Sequence, residues 1–386
     1  KEEFDILFKD TYIHDNPTIN RNNYYILKLD FSNLNINTEI DDITAIENKF
    51  SNKVRDSIIS FNNRYNFNIN PYEELTDSSE ILRKFIQQFE SLHLDNKLYV
   101  IIDEYDNFTN SILGKNKDLF ERILSSDEAF VKSFYSVLKE KRSIIDRIFI
   151  TGVCSVSLDA MSSGFNIATN ITNEERFNAM TAFTYEEVKE IINQMDINNK
   201  DEVFDILIDN YDGYKFNEDV DYKVFNTTLV MYYLSNIYET GKAPKKLLDS
   251  NIVSNNFDQI NTLINLLTEE EKNEIINKLY FEDKIQIILK DTFDIRDIHI
   301  FDILSMLYYF GYLTIEDYDS NMDTFMLKKP NKVMEELYGR LFLKLIQYKT
   351  DINNDLINAI NAIKETGDIK PLTDIVSESV SYLSYR

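Results

Sequence analysis

Apolar positions along the chain change period several times, and each change predicts an element. Tyr24-Tyr25-Ile26-Leu27-Lys28-Leu29-Asp30-Phe31 alternates in its second half, which predicts a strand ending near Ser32. Ile40, Ile43, Ala45-Ile46, Phe50, Val54 and Ile58 then recur at three- and four-residue steps, the spacing of an amphipathic helix, before Asn-rich coil over 62–71. Ile81, Leu82, Phe85, Phe89 and Leu92 place a second apolar stripe on a helix near 81–93. Next comes Lys97-Leu98-Tyr99-Val100-Ile101-Ile102, an apolar run that ends in Asp103-Glu104-Tyr105-Asp106. Such a run reads as a strand buried on both faces of a parallel sheet.

A loop over 109–116 and a short helix over 119–124 follow. Ser126 is then placed to cap a helix carrying Phe130-Val131, Phe134-Tyr135 and Val137-Leu138. Residues 147–153, Arg-Ile-Phe-Ile-Thr-Gly-Val, read as the next buried strand. Strand–helix–strand–helix–strand predicts a parallel α/β sheet with right-handed crossovers.

After residue 155 the character turns helical. Loops at 162–165 and 170–173 precede Phe183-Thr184-Tyr185-Glu186-Glu187-Val188, where Thr184 and Glu187 make a capping box opening a helix to about Met195. Helical periodicity also marks 203–211, 227–238, 256–267, 300–310 and 332–349. Between the last two, 311–315 looks like a strand and 324–328 its partner. That hairpin is compatible with a winged-helix module, or with a β-hairpin packed on a helical bundle, the favoured reading. Tyr211-Asp212-Gly213-Tyr214-Lys215-Phe216 is an aromatic turn with Gly at a position calling for positive φ. It reads as packing between helices rather than as a recognition loop.

Composition narrows the function classes. With 386 residues, 43% hydrophobic and 13% aromatic, the chain builds more than one domain, and 8 Gly with 5 Pro favour long regular elements. A net charge of −25 disfavours nucleic acid and anionic membrane as partners. The basic residues near the hairpin (Lys328, Lys329, Lys332, Arg340, Lys344) are diluted by Glu335 and Glu336. One Cys, Cys154, excludes an intrachain disulfide and suits a reducing, cytoplasmic setting. With His14, His93 and His299 it makes no zinc cluster, and it reads as a small buried residue rather than a catalytic thiol. No run of about eighteen apolar residues is present. The start, Lys1-Glu2-Glu3-Phe4, has no signal-peptide pattern and no Met, which reads as part of a longer chain.

The candidate chemistry lies at the strand ends. Four apolar residues followed by Asp-Glu form the Walker B pattern of P-loop ATPases, in which the Asp holds Mg²⁺ and the Glu polarises the attacking water. The plain alternative is a buried strand whose acidic end only meets solvent or caps the next helix. Thr151 closes the following strand, where a polar sensor to the γ-phosphate would sit, with Ser155 the second choice. Arg176 is a candidate finger or lid arginine, although surface arginines are commoner. The phosphate-cradling GxxxxGK[ST] loop is absent from the sequence. Gly114-Lys115 is followed by Asn116, with Thr109 where the first Gly should be, and Gly241-Lys242 is followed by Ala243.

Taken as an ordered set, several stretches resemble the predicted AAA-ATPase-like proteins. They are 4–13, 25–32, Asp103-Glu104-Tyr105-Asp106, 148–153, 163–168, 183–188, 211–216, Lys329-Pro330-Asn331 and Tyr382-Leu383-Ser384-Tyr385. The resemblance implies a P-loop NTPase core followed by a helical lid and further helices, often fused to a C-terminal PD-(D/E)XK nuclease-like domain. It implies Asp103 as the metal-binding acid, Glu104 as the water-polarising residue and Thr151 near the sensor position. It also implies that the phosphate loop lies upstream of 4–13 and that a nuclease-like domain would begin about where Arg386 stands.

These readings together predict an ATPase-like α/β core over 1–182, a helical lid over 183–255 and a helical domain with the hairpin over 256–386. The expected activity is Mg²⁺-dependent ATP binding and hydrolysis that drives a conformational switch in an attached effector or protein partner. The alternative is a non-catalytic interaction scaffold on an ATPase fold. A third class, DNA binding through 300–349, needs a basic face there.

Overall fold

The computed structural model describes residues 2–32, 34, 36–37, 40–107, 112, 119, 122–123, 130–153, 168–248, 260–291, 293, 297–347 and 352–384. In chain order the elements are α1 (Glu2–Leu7), α2 (Tyr12–Asp15), β1 (Tyr24–Asp30), α3 (Ile43–Tyr65), α4 (Ser78–Glu90), β2 (Lys97–Asp103), α5 (Phe130–Glu140) and β3 (Ile145–Ile150). There follow α6 (Tyr185–Gln194), α7 (Lys200–Tyr211), α8 (Thr227–Thr240), α9 (Glu269–Phe281), β4 (Ile285–Ile287), α10 (Ile300–Tyr309), β5 (Thr314–Asp319) and β6 (Thr324–Lys328). Three helices end the chain: α11 (Lys332–Gln347), α12 (Ile352–Thr366) and α13 (Lys370–Ser384). Two compact units form, one from residues 1–170, 265–267 and 289–310, the other from 171–264, 268–288 and 311–386. No described helix is long and apolar enough to cross a membrane.

The first unit is built on a three-stranded parallel sheet in the order β1-β2-β3. Leu27 and Leu29 of β1 and Leu98, Val100 and Ile102 of β2 are fully buried on one face. Helix α3 packs on β1 and on α4, and α4 packs on α5. Aromatic rings fill this layer: Phe31 stacks on Phe50 at 4.5 Å, and Phe134 meets Phe50 edge-on at 5.1 Å. On the opposite face Ile26, Tyr99, Ile101 and Phe149 are only half-buried among the described residues. The expectation that β2 is buried on both faces is therefore corrected. Its burial alternates along the strand, with Leu98, Val100 and Ile102 fully buried and Tyr99 and Ile101 half-buried.

Local chemistry sets the helix limits. Asp42 accepts a hydrogen bond from the Ala45 amide at 2.8 Å and caps α3, so Ile40 lies outside the helix and is exposed. That helix runs through Tyr65, past the predicted start of coil, and stops at Asn66 in the left-handed region (φ 55°). Its last residue has a use: the Tyr65 hydroxyl accepts the Ile26 amide at 2.8 Å. Asp77 caps α4 by accepting from the Ser79 and Glu80 amides. Most of the loop over 109–116, as well as Phe120, Leu124, Ser126, Cys154, Ser155 and the loop over 162–165, lies outside the described residues.

In the second unit the Thr184–Glu187 capping box forms as expected and opens α6. The predicted hairpin also forms, β5 against β6, but its first strand begins later than the sequence suggests. Gly311 (φ 78°) supplies a left-handed turn before Thr314. A third strand, β4, was not anticipated and extends the sheet to the order β4-β6-β5. Three residues are too few to carry a period.

The aromatic turn 211–216 proves to be a packing hub. Gly213 (φ 109°) lies so close to Pro330 that a Cβ there would sit 2.0 Å from the Pro330 carbonyl oxygen. The Asn331 side-chain amide donates to the Asp212 carbonyl at 2.9 Å, while its Oδ1 accepts the Met334 amide at 3.1 Å and opens α11. Thr314 Oγ1 accepts the Lys215 amide at 2.8 Å and joins the turn to β5. The Asp212 carboxylate is buried and accepts the Tyr185 hydroxyl.

Burial, offset in part by the Tyr185 hydroxyl, pushes the Asp212 carboxyl above its ordinary value. A folded pKa above the unfolded one means the folded state binds the proton more tightly. The stability this group contributes is then present below the ordinary value of 3.8 and is lost as pH rises through the folded value. Urea unfolding followed across that window should show stability declining with pH in the wild type. The decline should be absent in Asp212→Asn, and an equal slope in the two proteins contradicts the assignment.

Candidate functional site

Parallel pairing brings the C-terminal ends of three strands together, the place where open α/β sheets bind ligands. Asp30 and Asp103 are register partners at the tips of β1 and β2. The ladder continues past β3, since the Thr151 amide donates to the Ile102 carbonyl at 2.8 Å and the Tyr105 amide to the Thr151 carbonyl at 3.1 Å. Asp103 and Thr151 thus become neighbours although 48 positions separate them.

The Thr151 hydroxyl donates to Asp103 Oδ1 at 2.7 Å. Lys28 Nζ lies 3.1 Å from Asp103 Oδ2 and 3.3 Å from Asp30 Oδ2. The Thr151 hydroxyl first, then Lys28, hold the Asp103 carboxyl below the usual carboxylate range. Asp30 is lowered as well, chiefly by hydrogen bonds from Ser32, with Lys28 adding to them. The two carboxylates in turn raise the Lys28 ammonium, Asp103 more than Asp30. All three groups are charged at neutral pH. The site is open to solvent, with the Asp103 side chain 40% and the Lys28 side chain 54% exposed.

Glu104 follows at φ 50°, a left-handed conformation that a non-glycine residue adopts at a cost of about 1 kcal/mol. It turns the chain off the strand, and the Asn107 amide closes the turn on the Glu104 carbonyl at 3.1 Å. The Asn107 side-chain nitrogen donates to Glu104 Oε2 at 2.9 Å and also to the Ser32 carbonyl. One carboxylate oxygen of Glu104 is thereby anchored. Behind the turn, buried Asp106 accepts the Val153 amide at 3.0 and 3.1 Å through its two oxygens. Gly152 fits beneath it, where a Cβ would lie 2.2 Å from the Tyr105 ring and 2.5 Å from Asp106 Oδ1.

Of the residues singled out in the sequence, Asp103, Glu104 and Thr151 come together. Ser155 lies outside the described residues. Arg176 belongs to the second unit, on an exposed turn where its Nε pairs with Glu174 at 2.7 Å and its guanidinium lies over the Phe177 ring. Lys28, Asp30 and Asn107 were missed, and Asp106, part of the acidic strand end, was given no role. The alternation of 26–31 already put Lys28 and Asp30 on one face, but it does not say which strand lies beside them.

No group of three or more His, Cys, Asp or Glu among the described residues forms a metal cage. Two hard, ionised carboxylates side by side do fit Mg²⁺, which is held through one or two carboxylates while phosphate oxygens and water complete its shell.

The family model described as Predicted AAA-ATPase matches residues 1–162. These residues belong to the AAA-ATPase-like family. The AAA-ATPase-like segment contains all three parallel strands, with Asp103, Glu104 and Thr151, and it ends before Arg176. No curated protein matches the chain.

Proposed function

We propose that this protein is an ATPase whose Walker B strand is β2. It would bind Mg²⁺-ATP at the strand tips, hydrolyse it, and pass the change to an attached effector or protein partner. The observation that carries this reading is Asp103 at the end of the central parallel strand, ionised and oriented by Thr151, with Glu104 turned out beside it and held by Asn107. Asp103 would hold the metal, which when bound neutralises phosphate charge. Glu104, with one oxygen fixed, keeps the other for aligning a water molecule. Ser155 as a phosphate contact and Arg176 as a finger arginine belong to the proposal as the sequence reads them. A single Cys and the acidic surface support a cytoplasmic protein that avoids membranes and nucleic acid.

The test is Glu104→Gln in the full-length protein. Mg²⁺-ATP affinity should persist while turnover falls at least a hundredfold, the scale of lost general-base assistance. Unchanged turnover would remove Glu104 from the mechanism. The Lys28 ion pair favours a second reading, in which the acidic strand end is structural and the protein a non-catalytic scaffold. Nucleotide titration decides, since measurable Mg²⁺-ATP affinity rules the pure scaffold out.

A further inference from the structure

Lys28 does more than its ion pairs need. Salt bridges this exposed contribute only about 0–1 kcal/mol, so stability alone gives little reason to gather two carboxylates around one ammonium. The arrangement is also divided in an orderly way. Asp103 Oδ1 is taken by the Thr151 hydroxyl at 2.7 Å, and Asp30 Oδ1 by the Ser32 amide at 3.0 Å, with the Ser32 hydroxyl also bonded to the Asp30 carboxylate. Oδ2 of each carboxylate faces Lys28 Nζ, at 3.1 Å for Asp103 and 3.3 Å for Asp30. Neutral donors therefore aim both carboxylates at one point, and a cation already occupies it.

We propose that Lys28 is the built-in counter-ion of the divalent-metal seat, that Asp30 shares this seat with Asp103, and that metal entry displaces the Lys28 ammonium. This rests on the ATPase reading of the same strand tips and adds a regulatory element to it. Two cations cannot share the two Oδ2 atoms without strong repulsion, so metal and ammonium compete. While the ammonium stays in place, the carboxylates remain ordered and compensated without metal. Once displaced, it sits on a flexible stem beside the seat, free to meet an anionic phosphate oxygen. Lys28 is thus a positioning residue and a brake on metal binding.

The experiment uses Mn²⁺ alone, without nucleotide, on the full-length protein, with bound metal read by electron paramagnetic resonance. Lys28→Met should tighten Mn²⁺ binding about tenfold or more, as a competing positive charge at the seat is lost. Asp30→Asn should weaken binding about tenfold, and Asp103→Asn should weaken it further. Mn²⁺ should also raise the melting temperature of Lys28→Met more than that of the wild type, since two facing carboxylates are left uncompensated. Lys28→Gln serves as a second variant and should tighten Mn²⁺ binding in the same direction. Equal Mn²⁺ affinity in wild type, Lys28→Met and Lys28→Gln overturns the proposal, as does an absence of Mn²⁺ binding in all three. Because no nucleotide is present, this result is independent of the Glu104→Gln turnover test. Competition without hydrolysis would keep the seat and remove the ATPase, and the reverse would do the opposite.

Discussion

Replacing Gly213 with Ala is expected to cost about 4 kcal/mol or more, enough to unfold the second unit at moderate urea concentration. Two effects add. The residue sits at φ 109°, outside the region an L-residue adopts readily, and a Cβ would fall 2.0 Å from the Pro330 carbonyl oxygen and 2.9 Å from its carbon. The opposing atoms are backbone, so no rotamer change relieves the contact. Relief needs Pro330 to move, and Asn331 next to it donates to the Asp212 carbonyl while opening α11. Gly241 is the matched control. It caps α8 at φ 71° with nothing within 4 Å of the place a Cβ would take, so Gly241→Ala should cost only about 1 kcal/mol. Urea midpoints of the two variants should differ widely, and similar midpoints would show that the 211–216 turn does not hold the unit together.

The second large effect is expected at Gly152. A methyl group there meets the buried ring of Tyr105 at 2.2 and 2.4 Å and Asp106 Oδ1 at 2.5 Å. Both neighbours are side chains, so some adjustment is open to them, and a cost of about 3 kcal/mol is expected, the upper end for overpacking. The damage should not be confined to stability. Asp106 holds the Val153 amide and the Tyr105 amide holds the Thr151 carbonyl, so spreading them drags Thr151 from Asp103. Thermal melting of Gly152→Ala, Tyr105→Leu and the double variant checks the cause. If the ring is the obstacle, the double variant recovers part of the loss and the effects are not additive. Strict additivity would place the strain elsewhere.

Much of the fold was legible because its elements carry strong periods and caps. The apolar run into Asp103-Glu104, the stripes of α3, α4 and α5, and the Thr184–Glu187 box all state their structure locally. What was not legible depends on neighbours. Lys28 and Asp30 look like ordinary polar positions of an alternating strand until β1 is laid beside β2. Asn107 looks like a loop residue until the left-handed turn at Glu104 brings it back onto the carboxylate. Half-exposed Tyr99 and Ile101 look buried in sequence, because an apolar run does not tell whether one face or two are covered. Asp212 and Gly213 read as a turn, whereas the partners that make them a hub lie more than a hundred positions away in Pro330 and Asn331.

The register of the parallel sheet has a kinetic consequence. Tyr24 pairs with Lys97, and Leu98 with Ile145, so no rung of the ladder closes a short loop. Contacts of such sequence separation meet their closure entropy before they return any energy, and they form slowly. Helices α3 and α4 can gather locally, but Asp30, Asp103 and Thr151 meet only when all three strands are in register. A chain caught part-way through folding therefore carries the acids and the lysine without the seat they make together. Whatever chemistry the strand tips perform is withheld until the last long-range pairing is complete.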